Sequence, residues 1–347
     1  MKRDKRGAIE QMNINSMLLN NSVPPKQVNN AQSKQTSFGL NSLQNNSQTP
    51  QFADAFVKRV EQEPKNVVFL KFIMPKVFPY NAIKGVFVPR KDLEPMNIQG
   101  EPVVMKSGNI DINCWFIPPQ PGKPTVLLCH GNAENITHSQ PTAKQLAAQG
   151  IGVFMVDYEG YGKNEGTPSE SKLYQNALDG AKYLNEQKGI PNNQIIVMGH
   201  SLGGPIAAHT AASVPEGNHF KAVILDSTVP SMAALVKSWI DHDYIAKTEE
   251  PKENYPLERV INDLKTGGGL FLTKESIPKI PASTKILVVH SVNDNVVDGI
   301  VGKSLMDTVK AFKPDAETFW EKESSKSHQN YTCRMPKILD FISSLPN

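Results

Sequence analysis

The sequence predicts an α/β fold in which helices flank a mostly parallel sheet of about eight strands. Three observations support this: a hairpin pattern opens the regular part of the chain, short apolar runs follow it, and helix-like segments separate the runs. Runs that are apolar on both faces are typical of the central strands of a parallel sheet, because helices cover both of its sides.

The predicted strands begin with a hairpin, in which Val103–Met105 and Ile110–Ile117 are joined by the turn Ser107-Gly108-Asn109. A glycine-containing turn between two such runs is a hairpin signal. Because strand and helix then alternate, right-handed crossovers between parallel strands are expected. The later predicted strands are Thr125–Cys129, Ile151–Val156, Ile195–Gly199, Ala222–Asp226, Ile286–His290 and Ala316–Trp320.

One predicted helix has a recognisable start. Thr167 is its expected N-cap, Pro168 its first residue and Glu170 its third, which together make a capping box.

The alternation stops between Asp226 and Ile286, where the spacing of apolar residues predicts two amphipathic helices. We interpret residues 227–280 as a helical insertion that caps the carboxyl edge of the sheet. The apolar positions are Met232, Leu235, Val236, Trp239 and Ile240 in the first helix, and Leu257, Val260, Ile261 and Leu264 in the second.

Three regions are expected along the chain. Residues 1–51 are rich in Asn, Gln and Ser without apolar periodicity, so they are predicted to form a disordered tail. Residues 52–100 are a lead-in segment, with a short helix expected at about 52–60. Residues 101–347 form the α/β domain.

Composition and cysteine spacing argue against several classes of function. The chain is 39% hydrophobic and 20% charged, with a formal net charge of +3, which gives no reason to expect a nucleic-acid partner. Its three cysteines are widely spaced and predict neither a disulfide framework nor a metal site. There is no signal-peptide pattern and no apolar stretch of the roughly 18 residues that span a bilayer, so a cytoplasmic location is expected. The basic N-terminus permits contact with an anionic membrane, but a solvated tail is the simpler interpretation.

The clearest chemical motif is Gly199-His200-Ser201-Leu202-Gly203. Five apolar residues precede its centre and a helix-like segment follows it, as a nucleophile on a strand-to-helix turn requires. Small residues two positions on either side let strand and helix approach closely. Ser201 is therefore the predicted nucleophile.

A neutral serine needs a histidine to take its proton and a carboxylate to orient that histidine. Of the eight histidines, His328 lies in a polar loop after the last predicted strand, and we expect it to be the base. Two carboxylates compete for the acid role. Asp294 follows one strand end and gives the order Ser, Asp, His, so it is favoured over Asp226, which is interpreted as a strand-end residue bonded to backbone amides.

A second glycine turn, His130-Gly131-Asn132-Ala133, follows the strand Thr125–Cys129. We expect it to face the nucleophile, with the amides of Asn132 and Leu202 as oxyanion donors. Each such donor is worth roughly 3–4 kcal/mol in the transition state.

These motifs together resemble the α/β-hydrolase superfamily, and within it the intracellular serine hydrolases of the prolyl-oligopeptidase-like and protein-depalmitoylase branches. The resemblance covers roughly residues 100–345. It is carried by the glycine turn at 130–133, the segment Asp157–Gly166, the turn around Ser201, the Asp294 loop and Ser327–Asn330. It implies an ester, thioester or amide substrate and no cofactor. The chain departs from these branches at three positions. Ser291 replaces the usual Gly of the acid loop, Ser327 replaces the frequent Gly before the catalytic histidine, and Asp298 replaces the usual Pro after the paired valines.

The sequence therefore predicts a serine hydrolase that cleaves an ester or thioester of an acylated or small-molecule substrate. A serine peptidase of the same fold, an acyltransferase and a non-catalytic binding protein on the same scaffold are the alternatives.

Overall fold

The computed structural model describes residues 87–241, 270–322, 328 and 331–346. Within them, eight strands form one sheet in the order β1-β2-β4-β3-β5-β6-β7-β8, which confirms the predicted fold class. The strands are β1 Glu101–Ser107, β2 Ile110–Ile117, β3 Thr125–Cys129, β4 Gly152–Val156, β5 Ile195–His200, β6 Ala222–Asp226, β7 Lys285–Ser291 and β8 Glu317–Glu321.

The predicted hairpin is present at one edge of the sheet. β1 pairs antiparallel with β2, and β2 pairs antiparallel with β4. From β4 to β8 every neighbouring pair is parallel, so these strands end at one carboxyl edge. The order reverses around β3, and in open sheets of this kind such a switch point is where functional loops meet.

The helices follow the strands, as predicted. They are α1 Gln140–Ala147, α2 Glu170–Lys188, α3 Gly203–Ala212, α4 Met232–Asp241, α5 Thr273–Ser276, α6 Gly299–Phe312 and α7 Tyr331–Ser344. Short 3₁₀ turns lie at Ile136–Ser139, Asn192–Gln194, Glu216–Asn218 and Ile277–Lys279.

Both faces of the sheet are buried. On one face, Val126 and Leu128 of β3 belong to a core that includes Leu146 of α1 and Ile338 of α7. Leu127 points to the opposite face, where a Cβ added at Gly180 of α2 would approach its side chain. The period-2 alternation of strand side chains thus supplies two apolar layers from each central strand.

The predicted capping box at Thr167 is wrong. α2 begins at Glu170, and the extended residue Ser169 is its N-cap, with a side chain that accepts a hydrogen bond from the amide of Lys172 at 3.4 Å. The amide of Thr167 instead donates to Oε1 of Glu159 at 3.3 Å. The chain at Thr167 is therefore still part of the loop that leaves β4.

Glu170 contributes in a way that its sequence position did not indicate. Its carboxylate accepts hydrogen bonds from the amides of Leu270 and Phe271, at 2.8 and 3.0 Å, and from the hydroxyl of Tyr174 at 2.7 Å. Glu170 thus anchors part of the predicted insertion to the first turn of α2.

The first amphipathic helix predicted in the insertion is present as α4. Its apolar stripe is buried at Met232, Leu235, Val236 and Trp239. The second predicted helix at 257–264, the tail at 1–51 and most of the lead-in segment lie outside the described residues. No described helix combines the length and the apolar character that crossing a membrane demands.

Strand β5 and helix α3 approach each other so closely that their glycines are required. A Cβ added at Gly199 would lie 2.0 Å from the carbonyl oxygen of Gly203, and one added at Gly203 would lie 2.1 Å from that of Cys129. Real Cβ atoms do not approach backbone atoms this closely. The turn at 200–202 is therefore built by removing side chains on both sides of it.

We predict that Gly199→Ala lowers the free energy of unfolding by about 2 kcal/mol or more, because the added methyl group meets rigid backbone. Gly217→Ala is the matched control, since a Cβ there meets nothing within 4 Å. Denaturant unfolding of both variants checks the prediction. Equal stability of the two variants would contradict the close approach of β5 and α3.

Candidate active site

Ser201 lies at the tip of the turn between β5 and α3 in a left-handed conformation, with a φ of 51°. A non-glycine residue with positive φ is uncommon and marks a local constraint. The constraint is visible in the hydrogen bonds: the amide of Ser201 donates to the carbonyl oxygen of Asp226 at 2.9 Å, and its own carbonyl accepts from Oγ1 of Thr228 at 2.6 Å. The end of β6 thus holds the turn in place from behind.

Asp294 lies in the loop after β7, and its carboxylate is fully buried. Oδ1 accepts the amides of Val296 and Val297, both at 2.9 Å. These two bonds fix the loop around the carboxylate and orient it.

His328 lies beyond β8 and is hydrogen-bonded to Asp294. Its Nδ1 is 2.9 Å from Oδ2 and 3.1 Å from Oδ1 of the carboxylate. Its amide donates to Oδ1 of Asn295 at 3.1 Å. The structure therefore brings together two of the three predicted triad residues, which are 34 positions apart in the chain.

The surroundings of Asp294 favour its charged form. Burial alone would raise the pKa of the carboxyl group, but the charge and hydrogen bond of His328, the charge of His290 and the amide of Val296 outweigh burial and hold the pKa well below its usual range. Asp294 is consequently ionised over the whole neutral range and can orient an imidazole and stabilise its protonated form.

A second histidine lies beneath the same carboxylate. Nε2 of His290 is 2.9 Å from the carbonyl oxygen of Val297 and 3.8 Å from Oδ2 of Asp294. Its ring packs against α6, where a Cβ at Gly302 would lie 2.6 Å from three ring atoms. Burial lowers the pKa of His290. This histidine is enclosed by protein and supports the acid loop.

The ring of His200, the residue before Ser201, connects the turn to His328. The centroids of the two imidazole rings are 4.6 Å apart. Nδ1 of His200 is 3.3 Å from Oδ2 of Asp226. The ring contact places His328 beside the residue that precedes the predicted nucleophile.

Our interpretation of the partners of Asp226 is wrong. Among the described residues, its carboxylate is bonded to the side chains of Arg334 and His200, and not to backbone amides. The error arose because Arg334 is 108 positions away in the sequence and its approach depends on how α7 packs.

The predicted oxyanion loop, Gly131–Ala133, lies next to the turn at Ser201. A Cβ added at Gly131 would lie 3.2 Å from Cδ2 of His200, and one added at Gly203 would lie 2.8 Å from the carbonyl oxygen of His130. The glycine turn and the start of α3, which carry Asn132 and Leu202, are thus packed together. Ala133 has a φ of 55°, which turns the chain sharply within this loop.

Two side chains that sequence reasoning missed hold this loop. The hydroxyl of Tyr161 donates to Oδ1 of Asn132 at 2.7 Å, and that of Tyr158 donates to the carbonyl oxygen of His130 at 2.8 Å. Oδ1 of Asp157 accepts the amide of Ile136 at 2.8 Å.

Arg334 is the other residue that the sequence analysis overlooked. It is fully buried, although arginine is rarely so unless it is paired. A signal for it does exist in the sequence, because Arg334 lies four residues before Ile338 and seven before Phe341, on the apolar stripe of α7.

No group of three or more His, Cys, Asp or Glu side chains in the described part of the chain is arranged to hold a metal ion.

Part of the chain matches a known protein family and curated relatives. The model of the family described as serine aminopeptidase, S33, matches residues 120–248, a range that contains the oxyanion loop and the turn at Ser201. Protein YfhR of Escherichia coli K12 is 28% identical over 200 residues, which are 54% of this chain and 68% of YfhR.

Two solved structures have the same fold. An alpha-beta hydrolase from Vibrio vulnificus has a TM-score of 0.61 and 24% identity, and the match covers 78% of this chain and 92% of that one. An esterase from Pyrococcus furiosus has a TM-score of 0.58 and 18% identity, with 75% and 98% covered. Together with the strand order and the turn at Ser201, these findings show that the chain has the α/β-hydrolase fold.

Proposed function

We propose that this protein is a serine hydrolase that cleaves an ester or thioester bond through an acyl-enzyme intermediate, with Ser201, Asp294 and His328 as its triad. The observation that carries the proposal is the hydrogen bond between Nδ1 of His328 and the carboxylate of Asp294. The ring of His328 also contacts that of His200, the residue before Ser201. That bond fixes the tautomer that leaves Nε2 unprotonated and able to accept a proton.

The proposed reaction proceeds in two stages. The Ser201 hydroxyl attacks the substrate carbonyl carbon as its proton passes to Nε2 of His328, and the amides of Leu202 and Asn132 donate to the oxyanion that forms. His328 then gives the proton to the departing alcohol or thiol. A water molecule next attacks the acyl-enzyme, again losing its proton to His328, which returns one to Ser201 as the acid is released.

A serine peptidase of the same fold is the second candidate, favoured by the description of the matching family model. Binding the free amino group of a peptide would require a spare carboxylate near the site. Among the described residues, the buried carboxylates near the site already accept hydrogen bonds from protein groups. The acceptors are Glu134, Asp157, Asp226 and Asp294, and their respective partners are Gly131, Ile136, Arg334 and His328. This arrangement favours an uncharged acyl substrate over a peptide amino terminus.

We predict that Ser201→Ala lowers kcat for p-nitrophenyl esters by more than about 10⁴-fold and leaves the thermal midpoint within a few degrees, since it removes only the attacking atom. Ser213→Ala, at the other end of α3, is the matched control and keeps full activity. A fluorophosphonate probe labels the wild type and the control but not Ser201→Ala. A wild-type protein that does not label would favour a non-catalytic binding protein.

We predict that Asp294→Asn lowers kcat by at least about 10³-fold, because the amide no longer enforces the productive tautomer of His328. Asp315→Asn, an exposed carboxylate, is the control. The depressed pKa of Asp294 keeps that carboxyl group ionised between pH 5 and 8, so protonation of the acid adds no step to the pH profile of wild-type activity in this range. A step in the wild-type profile between pH 5 and 8 that disappears in Asp294→Asn would contradict this.

We predict that the ratio of kcat/KM for a p-nitrophenyl or acyl-thioester substrate to that for a matched amino-acid p-nitroanilide exceeds about 10²-fold, an advantage of about 3 kcal/mol for acyl over peptide substrates. Both substrates are measured with the wild type and with Ser201→Ala. Faster cleavage of the anilide would establish the peptidase alternative.

A further inference from the structure

Arg334 of α7 connects two parts of the candidate active site that are far apart in the sequence. Its Nε donates to Oδ1 of Asp226 at 2.5 Å, and Nη2 is 3.3 Å from Oδ2 of the same carboxylate. Nη2 also donates to the carbonyl oxygen of His328 at 3.1 Å. One guanidinium therefore holds a strand-end carboxylate and the backbone of the predicted base.

Asp226 is joined in turn to the turn at Ser201. Its backbone carbonyl accepts the amide of Ser201 at 2.9 Å, and its carboxylate is 3.3 Å from Nδ1 of His200. The turn at Ser201 is therefore hydrogen-bonded to the backbone and the carboxylate of Asp226. The guanidinium of Arg334 bonds that carboxylate and the carbonyl oxygen of His328. The donor–acceptor distances along this connection are all between 2.5 and 3.3 Å.

Among the described residues, the other hydrogen bonds of His328 are made to a single loop. Its imidazole is bonded to Asp294 and its amide to the side chain of Asn295. Both residues follow β7, so these bonds fix His328 relative to the acid, whereas its contact with the turn at Ser201 is the packing of its ring against that of His200. The hydrogen bond from Arg334 reaches the backbone of His328 from the side of β6, where the turn at Ser201 is held.

We propose that Arg334 is a positioning residue of the reaction, which sets the distance of the His328 imidazole from Ser201 by holding the His328 carbonyl to the end of β6. The inference rests on the proposed function, because it assumes that His328 deprotonates Ser201. Arg334 acts through His328 and contacts no substrate.

The pair of Arg334 and Asp226 stays charged while the enzyme works. Burial would raise the pKa of Asp226, but the charge of Arg334 and the hydrogen bond of His200 hold it well below its usual range. Because guanidinium also remains protonated at every pH of interest, the connection does not switch with pH. The planar guanidinium of Arg334 suits this role, because a single ammonium group cannot bond a carboxylate and a carbonyl in the same fixed geometry.

A purely structural ion pair makes a different prediction from a positioning residue, and a double variant separates them. Arg334→Met alone leaves the buried Asp226 charge uncompensated and is expected to destabilise the fold. Combining it with Asp226→Asn removes both charges at similar volume, which typically restores much of the stability. The His328 carbonyl remains without its donor in the double variant.

The experiment compares wild type, Asp226→Asn/Arg334→Met and Lys337→Met for thermal midpoint, kcat, KM and the rate of fluorophosphonate labelling. Lys337 is the matched control, because it lies one turn further along α7 and pairs with Glu317 of β8 at 2.6 Å, remote from His328. We expect the double variant to lose about 10- to 100-fold in kcat and in labelling rate with KM within about threefold, as for a displaced catalytic group. The control stays within about twofold of wild type in all of these.

Recovery of wild-type kcat in the double variant would overturn the proposal, as would an equal loss in the control. If the double variant does not fold, Arg334→Lys decides, since it keeps the charge but not the fork. It is expected to lose kcat at unchanged KM, and wild-type kcat would again overturn the proposal. Failure of the proposed function is distinct: in that case the wild type itself neither labels nor hydrolyses esters.

Discussion

The contact of β5 with α3 is the constraint on which the rest of the candidate site depends. Two glycines let the strand and the helix meet at distances that leave no room for a Cβ, and the residue between them takes a positive φ. A conformation of this kind costs of order 1–3 kcal/mol and persists only where its surroundings enforce it. Here the end of β6 does so, through Asp226 and Thr228, and the strain holds the Ser201 side chain at the carboxyl edge of the sheet.

The site contains an unusual concentration of buried charge, and every described part of it is organised by pairing. Asp294 is held by His328 and two amides, whereas Asp226 is held by Arg334 and His200. Asp226 is the last residue of β6, whereas Asp294 lies in the loop after the neighbouring strand β7. Their partners differ: the guanidinium of Arg334 neutralises the charge of Asp226, and the imidazole of His328 is hydrogen-bonded to Asp294.

The sequence predicted the sheet, the turn at Ser201 and the pairing of Asp294 with His328 because each follows from local pattern and chain order. Apolar runs locate β3 to β7 to within about a residue, and Gly199 and Gly203 mark the close approach directly. The start of α2 was misplaced because Thr167 and Ser169 are both good N-caps, and a tertiary bond from Thr167 to Glu159 decided between them. The roles of Arg334, Tyr161 and Glu170 depend on partners 29 to 108 positions away, which no local pattern contains.

The acid loop has one further consequence for how the site works. Trp239 of α4 donates its indole N–H to the carbonyl oxygen of Val296 at 2.7 Å, and Ser238 is hydrogen-bonded to Asp298, which caps α6 through the amides of Ile300 and Val301. The same loop carries Asp294, whose carboxylate orients His328. The described helix of the predicted insertion is therefore fastened to the segment that fixes the base. These bonds therefore join the chain that follows β6 to the loop that carries Asp294.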